Sequence, residues 1–318
     1  MAQAILFPTM AGPTKSIYVE TAIRGPLDRV WQLTQTPDLH QRWDLRFTEI
    51  RYLPRPDIAE PQRFLYATRI GFGLRIRGEG ESVGNNEGAG GERSSALKFW
   101  SADPKSLIRE GSGYWKYIPS GEDGCTVRFL TGYDYRVRFG IIGQLLDRTI
   151  FRPLLGWATA WSFDRLRLWI EKGLDPAALL RHSLIYFTAR LALALVWLYE
   201  GFVPKLIFRH ADELTMLRSS GLSGVEARGW CVAIGLIEVA IGLTLVFAWH
   251  SRWPLWLTLV AMPAAVLAVA IQAPQFLAAP FNPVALNISV FAAAAIALLA
   301  AHDLPSASRC LRRPMRSE

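Results

Sequence analysis

Four ionisable residues lie within or beside long apolar runs in the second half of the chain. Glu200 is near the end of LVWLYEGFVPKLIF, and Lys205 follows five residues later. Arg190 precedes them in the same run, and Glu238 lies in the next one. Ionisable side chains inside a membrane are costly and usually face a bundle interior, where they serve protons, ions or ligands. The four residues therefore predict an intramembrane polar site, or else charges that only fix helix register.

The positions of these residues along their runs predict how they pair. Glu238 lies about nine residues into its run, ~14 Å deep at ~1.5 Å per residue, whereas Glu200 is ~6 Å from the outer surface. An unpaired buried charge would be neutralised by a shift of its pKa. We therefore expect Glu238 to pair with Arg190 across two spans. We expect Glu200 to meet Lys205 or a polar group of the following loop.

The runs that carry these residues have the length of membrane spans. Each is close to the ~20 residues that a helix needs to cross a bilayer, and together they contain no other Asp, Glu, Lys or Arg. This pattern predicts an all-α bundle of four transmembrane helices rather than a buried soluble bundle. The runs are Leu184–Val203, Gly229–Trp249, Trp253–Ile271 and Val284–Ala301.

Charge distribution predicts the orientation of these spans. With four spans, seven basic residues lie on the side of both termini and four on the other, which favours cytoplasmic termini in a bacterial inner or plasma membrane. The N-terminus lacks the basic and apolar regions of a signal peptide. The net charge of +8 suits anionic headgroups, and no nucleic-acid motif accompanies it. The three cysteines form no CxxC and no metal-ligand spacing with the five histidines, so we expect no metal and no evident cofactor.

The first half of the chain has the alternation of β-strands. In CTVRFLTGYDYRVRF (Cys125–Phe139), Phe129, Tyr133 and Tyr135 share one face while arginines share the other, as in an antiparallel strand with one dry face. The Gly-rich segment 84–93 lacks a phosphate-loop motif and predicts a hairpin. A long helix follows, which Pro153 should kink. These elements predict an α+β domain.

The order of these elements resembles that of the helix-grip fold. The resemblance is to the START-like, polyketide cyclase/dehydrase (SRPBCC) superfamily, and it covers about Ser16 to Lys172. It depends on YVETAIRGPLDRVWQLTQTPDLHQRWD and on LLDRTIFRPLLGWATAWSFDRLRLWIEKG. The resemblance implies a curved sheet around a C-terminal helix, with an apolar ligand between them, and only some members are enzymes.

Six aromatic residues are candidates to line that cavity, with an ordinary core as the alternative. No acid–base pair stands out nearby, and we expect His40, next to Arg42 and Asp44, at the surface. The candidates are Trp43, Trp100, Tyr114, Trp115, Tyr133 and Tyr135.

The apolar half is similar to DoxX-like membrane domains. The resemblance spans about Leu184 to His302 and rests on WLYEGFVPKLIF, HADELTML, the Gly221-Leu222 pair and GLIEVAIGLTLV. It implies a four-helix membrane protein, and some relatives are tied to quinone-linked or sulfur-linked redox chemistry. The absence of paired cysteines argues against a thiol mechanism. The stretch 205–221 is amphipathic and should lie along the membrane surface with its charges in water.

The sequence thus predicts an N-terminal tail (1–15), a helix-grip domain (16–175), a four-span domain (184–302) and a basic tail (303–318). The expected function is binding of an apolar small molecule that partitions into the lipid bilayer, such as a lipid, isoprenoid or quinone. One alternative is the membrane subunit of a quinone-linked oxidoreductase, with the redox centre on a partner protein. Another is a cyclase or dehydrase acting on a polyketide-like substrate. The oligomeric state stays open.

Overall fold

The protein forms two compact units in a computed structural model. The first comprises Met1–Leu179 together with Pro305–Glu318, and the second comprises Leu180–Leu304. The sequence predicted the last residues as a separate tail, but they belong to the first unit. The predicted N-terminal tail lies outside the described residues. The structure describes residues 16–57, 60–71, 73–88, 90–121, 125–278 and 282–314.

The described part of the first unit contains one antiparallel sheet of seven strands, in the order β1-β7-β6-β5-β4-β3-β2. Consecutive strands from β2 to β7 pair with each other, whereas β1 pairs with β7 and not with β2. The predicted Gly-rich hairpin joins β4 to β5. The strands are β1 (Ile17–Arg24), β2 (Glu49–Tyr52), β3 (Arg63–Gly71), β4 (Leu74–Glu87), β5 (Arg93–Trp100), β6 (Ile108–Ser120) and β7 (Thr126–Val137).

Two short helices, α1 (Leu27–Gln35) and α2 (Pro37–Trp43), lie between β1 and β2. The predicted long helix is divided into α3 (Gly140–Leu146), a π-helical turn and α4 (Arg152–Lys172). Pro153 lies in the first turn of α4, directly after the π-helical turn, so the irregular turn falls where the proline N–H is missing. The α4 helix packs on β1, and its side chains contact those of β7, which confirms the predicted helix-grip architecture.

The C-terminal tail completes the edge of this sheet. Glu20 of β1 and Leu311 exchange both backbone hydrogen bonds, each 2.9 Å long. The buried carboxylate of Asp164, on α4, accepts from the Ser306 amide (2.8 Å) and pairs with Arg309 (3.0 Å). The tail therefore covers an edge strand that would otherwise expose unpaired backbone groups.

The second unit is helical. Its helices are α5 (Pro176–Glu200, which begins in the first unit), α6 (Ala211–Ser219), α7 (Gly224–Phe247), α8 (Trp253–Gln272) and α9 (Pro283–Ala300). A π-helical segment, Gly201–Ile207, extends α5. Among the described residues four helices are long and apolar enough to cross a membrane: Pro176–Ile207, Gly224–Phe247, Trp253–Gln272 and Pro283–Ala300.

Two glycines bring α7 against the π-helical segment. A Cβ at Gly201 would meet the Gly235 carbonyl oxygen at 2.6 Å, and one at Gly235 would meet the Gly201 oxygen at 2.9 Å. Small residues allow such close backbone approach between membrane helices. The contact brings Lys205 and Glu238, which flank it, within reach of each other.

Candidate functional sites

Five of the six predicted cavity residues lie in strands, and the sheet register divides these five between two faces. Trp115, Tyr133 and Tyr135 lie on the inner face, towards α4, and Trp43 is buried at the end of α2. Trp100 follows Phe99, and Tyr114 precedes Trp115. Because Phe99 and Trp115 face inward and side chains alternate along a strand, Trp100 and Tyr114 lie on the outer face. Their prediction as cavity residues is wrong, because adjacent aromatic residues in a strand cannot share a face.

Aromatic rings fill the half of the inner face that lies beneath α4. Phe163 of α4 stacks on Phe129 of β7 with ring centroids 4.4 Å apart. Phe129 in turn contacts Trp115 (5.8 Å) and Tyr117 (5.0 Å). Tyr133 bonds to Thr159 of α4 through its hydroxyl (2.8 Å). These contacts pack the sheet against α4 in this half of the inner face.

The inner face of β3 to β5 is only half-covered. Phe64, Tyr66 and Phe99 are half-buried there, although each is large and apolar. Their rings lie across glycines of the neighbouring strands, and a Cβ at Gly78 or Gly80 would overlap Tyr66 or Phe64. The glycines therefore let the rings lie flat on the sheet, and we call Phe64, Tyr66 and Phe99 the aromatic wall.

His40 lies where the filled half meets this aromatic wall. Its ring stacks on Trp43 (5.0 Å) and meets Trp115 (5.0 Å) and Phe47 (5.3 Å) by their edges. Phe47 then contacts Tyr66 at 5.6 Å. Only 12% of the His40 side chain is exposed, so its prediction as a surface residue is wrong.

His40 and Asp44 form an acid–base pair that we did not predict. Nε2 of His40 lies 3.0 Å from Oδ2 of Asp44, a fully buried carboxylate. Arg46 donates to both oxygens of Asp44, from Nε at 2.9 Å and from Nη2 at 2.6 Å. The i,i+4 spacing of His40, on α2, and Asp44, which caps the end of α2, was the available signal, since such residues face the same side of a helix.

The charges of this cluster set the tautomer of His40. Burial raises the pKa of Asp44, but the Arg46 guanidinium and the hydrogen bonds from His40 and Arg46 outweigh burial and hold that pKa well below its ordinary value. Burial lowers the pKa of His40, against the opposing effect of Asp44. A neutral imidazole beside an ionised carboxylate must donate from Nε2, which leaves Nδ1 as an acceptor. Nδ1 has no hydrogen-bond partner among the described residues.

Tyr135, the inner-face tyrosine nearer α3, stabilises the fold. Tyr135 donates to Asp147 (2.6 Å), and Arg152 pairs with the same carboxylate (2.9 Å) and lies over the Tyr135 ring. Burial and this hydrogen bond raise the pKa of Tyr135.

No group of three or more His, Cys, Asp or Glu side chains that could hold a metal occurs within the described ranges.

In the second unit, Lys205 lies between two carboxylates. Its Nζ is 3.1 Å from Glu238 of α7 and 3.3 Å from Glu213 of α6. Nζ also donates to the backbone carbonyl of Glu200 (3.4 Å). Lys205 thus meets the main chain of Glu200, whereas the expected contact was with the Glu200 carboxylate. Glu213 was expected to face water and instead faces Lys205.

Arg190 does not pair with Glu238, so that prediction is wrong. The fully buried guanidinium donates to the carbonyls of Leu245 (2.8 Å), Ala248 (2.7 Å) and Ser251 (2.9 Å) and to the Tyr186 hydroxyl (2.7 Å). It thus caps the C-terminal end of α7, where unpaired carbonyls and the helix dipole favour a cation. Glu238 precedes Leu245 by seven residues, ~10 Å along the helix.

An apolar groove of about 630 Å³ lies beside Lys205 and its two carboxylates in the second unit. Glu200 lines it, and it is the one acidic or basic residue among the lining residues. The others are Leu195, Val196, Leu198, Tyr199, Phe202, Val203, Val239 and Leu286. The four ionisable residues predicted as one polar site thus divide into a cap on α7, a Lys205 cluster and a groove.

Comparisons with known proteins place the second unit in a family. Residues 194–295 match the model of the DoxX-like family. The chain is 52% identical over 188 residues to an uncharacterized membrane protein of Bacillus subtilis, YndG, an alignment that covers 59% of this chain and 69% of that protein.

Solved structures resemble the first half of the chain. A STAR-related lipid transfer protein from Xanthomonas axonopodis is 13% identical, with a TM-score of 0.39 over 52% of this chain and 90% of that chain. The Zhui aromatase/cyclase from Streptomyces is 10% identical, with a TM-score of 0.37 over 51% and 98%. Scores of this size carry no argument about function. The fold assignment depends on the strand order and on the packing of α4.

Proposed function

The chain is a membrane protein of the family that includes YndG, with a DoxX-like domain, and we propose that its helix-grip unit binds an apolar small molecule that partitions into the bilayer. The half-covered aromatic wall beside His40 carries this proposal. A lipid, an isoprenoid or a quinone would have the required chemistry.

The wall supplies the apolar part of such a site. Phe47, Phe64, Tyr66 and Phe99 are half-buried in the described structure. Ligand sites are mostly apolar and aromatic, with a small number of polar groups that fix orientation. A ligand lying on these rings would remove their remaining surface from water, which is favourable at roughly 25 cal/mol per Å².

His40 supplies the polar group. Its Nδ1 would accept a hydrogen bond from the ligand, and Asp44 holds the ring in place from the other side. The matching ligand group is a donor, so the proposed ligand has an apolar body and a hydroxyl group. Such molecules are scarce in water and concentrated in bilayers, which gives a physical reason for joining this unit to a membrane domain.

Farnesol and its methyl ether are suitable probes, because they share an apolar body and differ in the hydroxyl donor. Binding of each radiolabelled probe to the full chain in lipid nanodiscs is measured against empty nanodiscs. We expect His40→Gln to weaken farnesol binding by about 2- to 10-fold, the value of one neutral hydrogen bond, and to leave ether binding unchanged. The substituted amide keeps a donor for Asp44 and removes the Nδ1 acceptor.

His302→Gln is the matched control, because the His302 side chain is 84% exposed, and it should change neither probe. If neither probe binds above the empty-nanodisc background, the helix-grip unit does not take apolar alcohols and the proposed function fails. If both bind and His40→Gln affects them equally, the unit binds apolar molecules and the assignment of the hydroxyl to His40 is wrong.

The groove beside Glu200 favours a second candidate, the membrane subunit of a quinone-linked oxidoreductase. Glu200 would then accept or donate the proton, and a partner protein would supply the redox centre. Quinone reduction that needs the full chain and is lost in Glu200→Gln, with His40→Gln fully active, would support this candidate over the first.

The His40–Asp44 pair bears on the third candidate, a cyclase or dehydrase acting on a polyketide-like substrate. It supplies the base that such a reaction would need in the helix-grip unit. Turnover of a polyketide-like substrate that is lost in His40→Gln would favour this reading over simple binding.

A further inference from the structure

An exposed apolar surface runs along α3, the π-helical turn and the start of α4. Eight large apolar residues within 19 positions of the chain are exposed, including Ile141 at 83% and Ile142 at 78%. We call this set the α3 surface. Its members are Phe139, Ile141, Ile142, Leu145, Leu146, Ile150, Leu154 and Trp157.

The α3 surface is continuous, unlike the scattered apolar residues of ordinary protein surfaces. Ile142, Leu146, Ile150 and Leu154 recur every four positions and Trp157 follows three later, so these residues share one face along the helices. Soluble proteins rarely expose contiguous apolar patches of this kind unless the patch binds a protein or a membrane.

Polar contacts on the opposite side hold the stripe outward. Asp147, which is buried, bonds to Tyr135 and Arg152. Gly143 lies so close to the Arg138 carbonyl that a Cβ there would overlap it. The helix therefore cannot rotate its apolar face towards the sheet without breaking a buried ion pair.

The charges around the α3 surface are positive. Residues 136–157 contain four arginines and a single acidic residue, Asp147, which is buried and paired. Arg136 and Arg152 pair with carboxylates, and Arg148 is exposed. An exposed basic residue near anionic lipid headgroups is attracted by about 1 kcal/mol.

We propose that the α3 surface docks on the lipid bilayer that the second unit spans. The chain carries its own membrane helices, so this surface is covalently held to a bilayer. An amphipathic helix with an apolar stripe and arginines lies in the interface with its apolar face ~5–10 Å deep. This docking goes beyond ligand binding, because it assigns a lipid-contacting face to the helix-grip unit and does not depend on any ligand.

A fluorescent label at Ile142→Cys tests the docking in the full chain. Cys125, the exposed native cysteine, is replaced by serine, and Cys231 and Cys310 are buried. The chain is placed in nanodiscs of phosphatidylethanolamine and phosphatidylglycerol with nitroxide on the acyl chains. We expect the lipid nitroxide to quench the fluorescence of the label. Iodide in the water should quench it little, because the label lies in the bilayer.

Val83→Cys is the matched control, an exposed apolar position (46%) on the sheet of the same unit. Its label should keep its emission with nitroxide lipids and be quenched by iodide. If iodide quenches the label at position 142, the surface faces water and the proposal is wrong. If neither quencher reaches that label, protein covers the surface. That result also overturns the proposal, and dependence on protein concentration would then identify a second copy.

Discussion

Lys205→Met should destabilise the second unit more than the loss of any exposed cation. Lys205 Nζ lies 3.1 Å from Glu238, and these side chains are only 10% and 15% exposed. At an effective dielectric constant of ~20, the gross attraction at this distance is about 5 kcal/mol. Desolvation offsets much of it in the intact pair. Removing one partner leaves the other charge buried, which costs about 3–5 kcal/mol in the free energy of unfolding.

The contribution of the pair is isolated by a double-mutant cycle. Glu238→Gln should cost less, about 1–3 kcal/mol, because Lys205 keeps Glu213 at 3.3 Å. The double variant Lys205→Met/Glu238→Gln should be more stable than Lys205→Met alone, since the neutral amide that replaces the Glu238 carboxylate buries no charge. We expect a coupling energy of about 0.5–3 kcal/mol.

Unfolding of the purified chain in mild detergent, titrated with SDS and followed by far-UV circular dichroism, measures these differences. Arg228→Met is the matched control, because it removes an exposed cation from α7, the helix that carries Glu238. If Lys205→Met costs no more than Arg228→Met, the Lys205 cluster does not stabilise the unit. A coupling energy near zero would show that Lys205 and Glu238 act independently.

Three further predictions concern the cap, the histidine and the tail. Arg190→Met should lower the free energy of unfolding by about 2–5 kcal/mol in the same titration, because carbonyls at the end of α7 lose their donor. Burial lowers the pKa of His40, so the unfolded chain binds the proton before the folded chain does as pH falls below ~6.5. The free energy of unfolding therefore decreases as the pH is lowered. His40→Gln should reduce this slope between about pH 7.5 and 5.5 in thermal unfolding, and an unchanged slope would contradict the argument. Deleting residues 305–318 should speed hydrogen exchange at the Glu20 amide, which Leu311 protects, and unchanged exchange would show that the tail is not docked.

The sequence predicted the parts of the fold that depend on periodicity. Alternation along β7 identified the dry face, and the apolar runs identified the spans. Periodicity does not say how one strand registers with the next. Phe99 and Trp100 are both large and apolar, and only their pairing with β6 shows that Phe99 faces inward.

The errors in the membrane unit have a local cause. The first span was expected to end near Val203, but its helix continues through a π-helical segment to Ile207. This extension carries Lys205 to Glu238 and leaves Arg190 near the other end of α7. Arg190 then bonds to backbone carbonyls, which no residue pattern marks. The pairing of charges therefore could not be deduced from residue types and depth alone.

The docked tail has a consequence for topology. The residues before the first spanning helix and those after the last both belong to the first unit. Ser306 and Arg309 bond to Asp164 there, and Leu311 pairs with Glu20. One folded unit cannot lie on both sides of a bilayer, so the chain between its two parts must cross an even number of times. The four apolar helices satisfy this condition. A fragment ending at Leu179 would lack the tail and leave Asp164 with fewer donors, so a test of the helix-grip unit in isolation should join residues 305–314 to it.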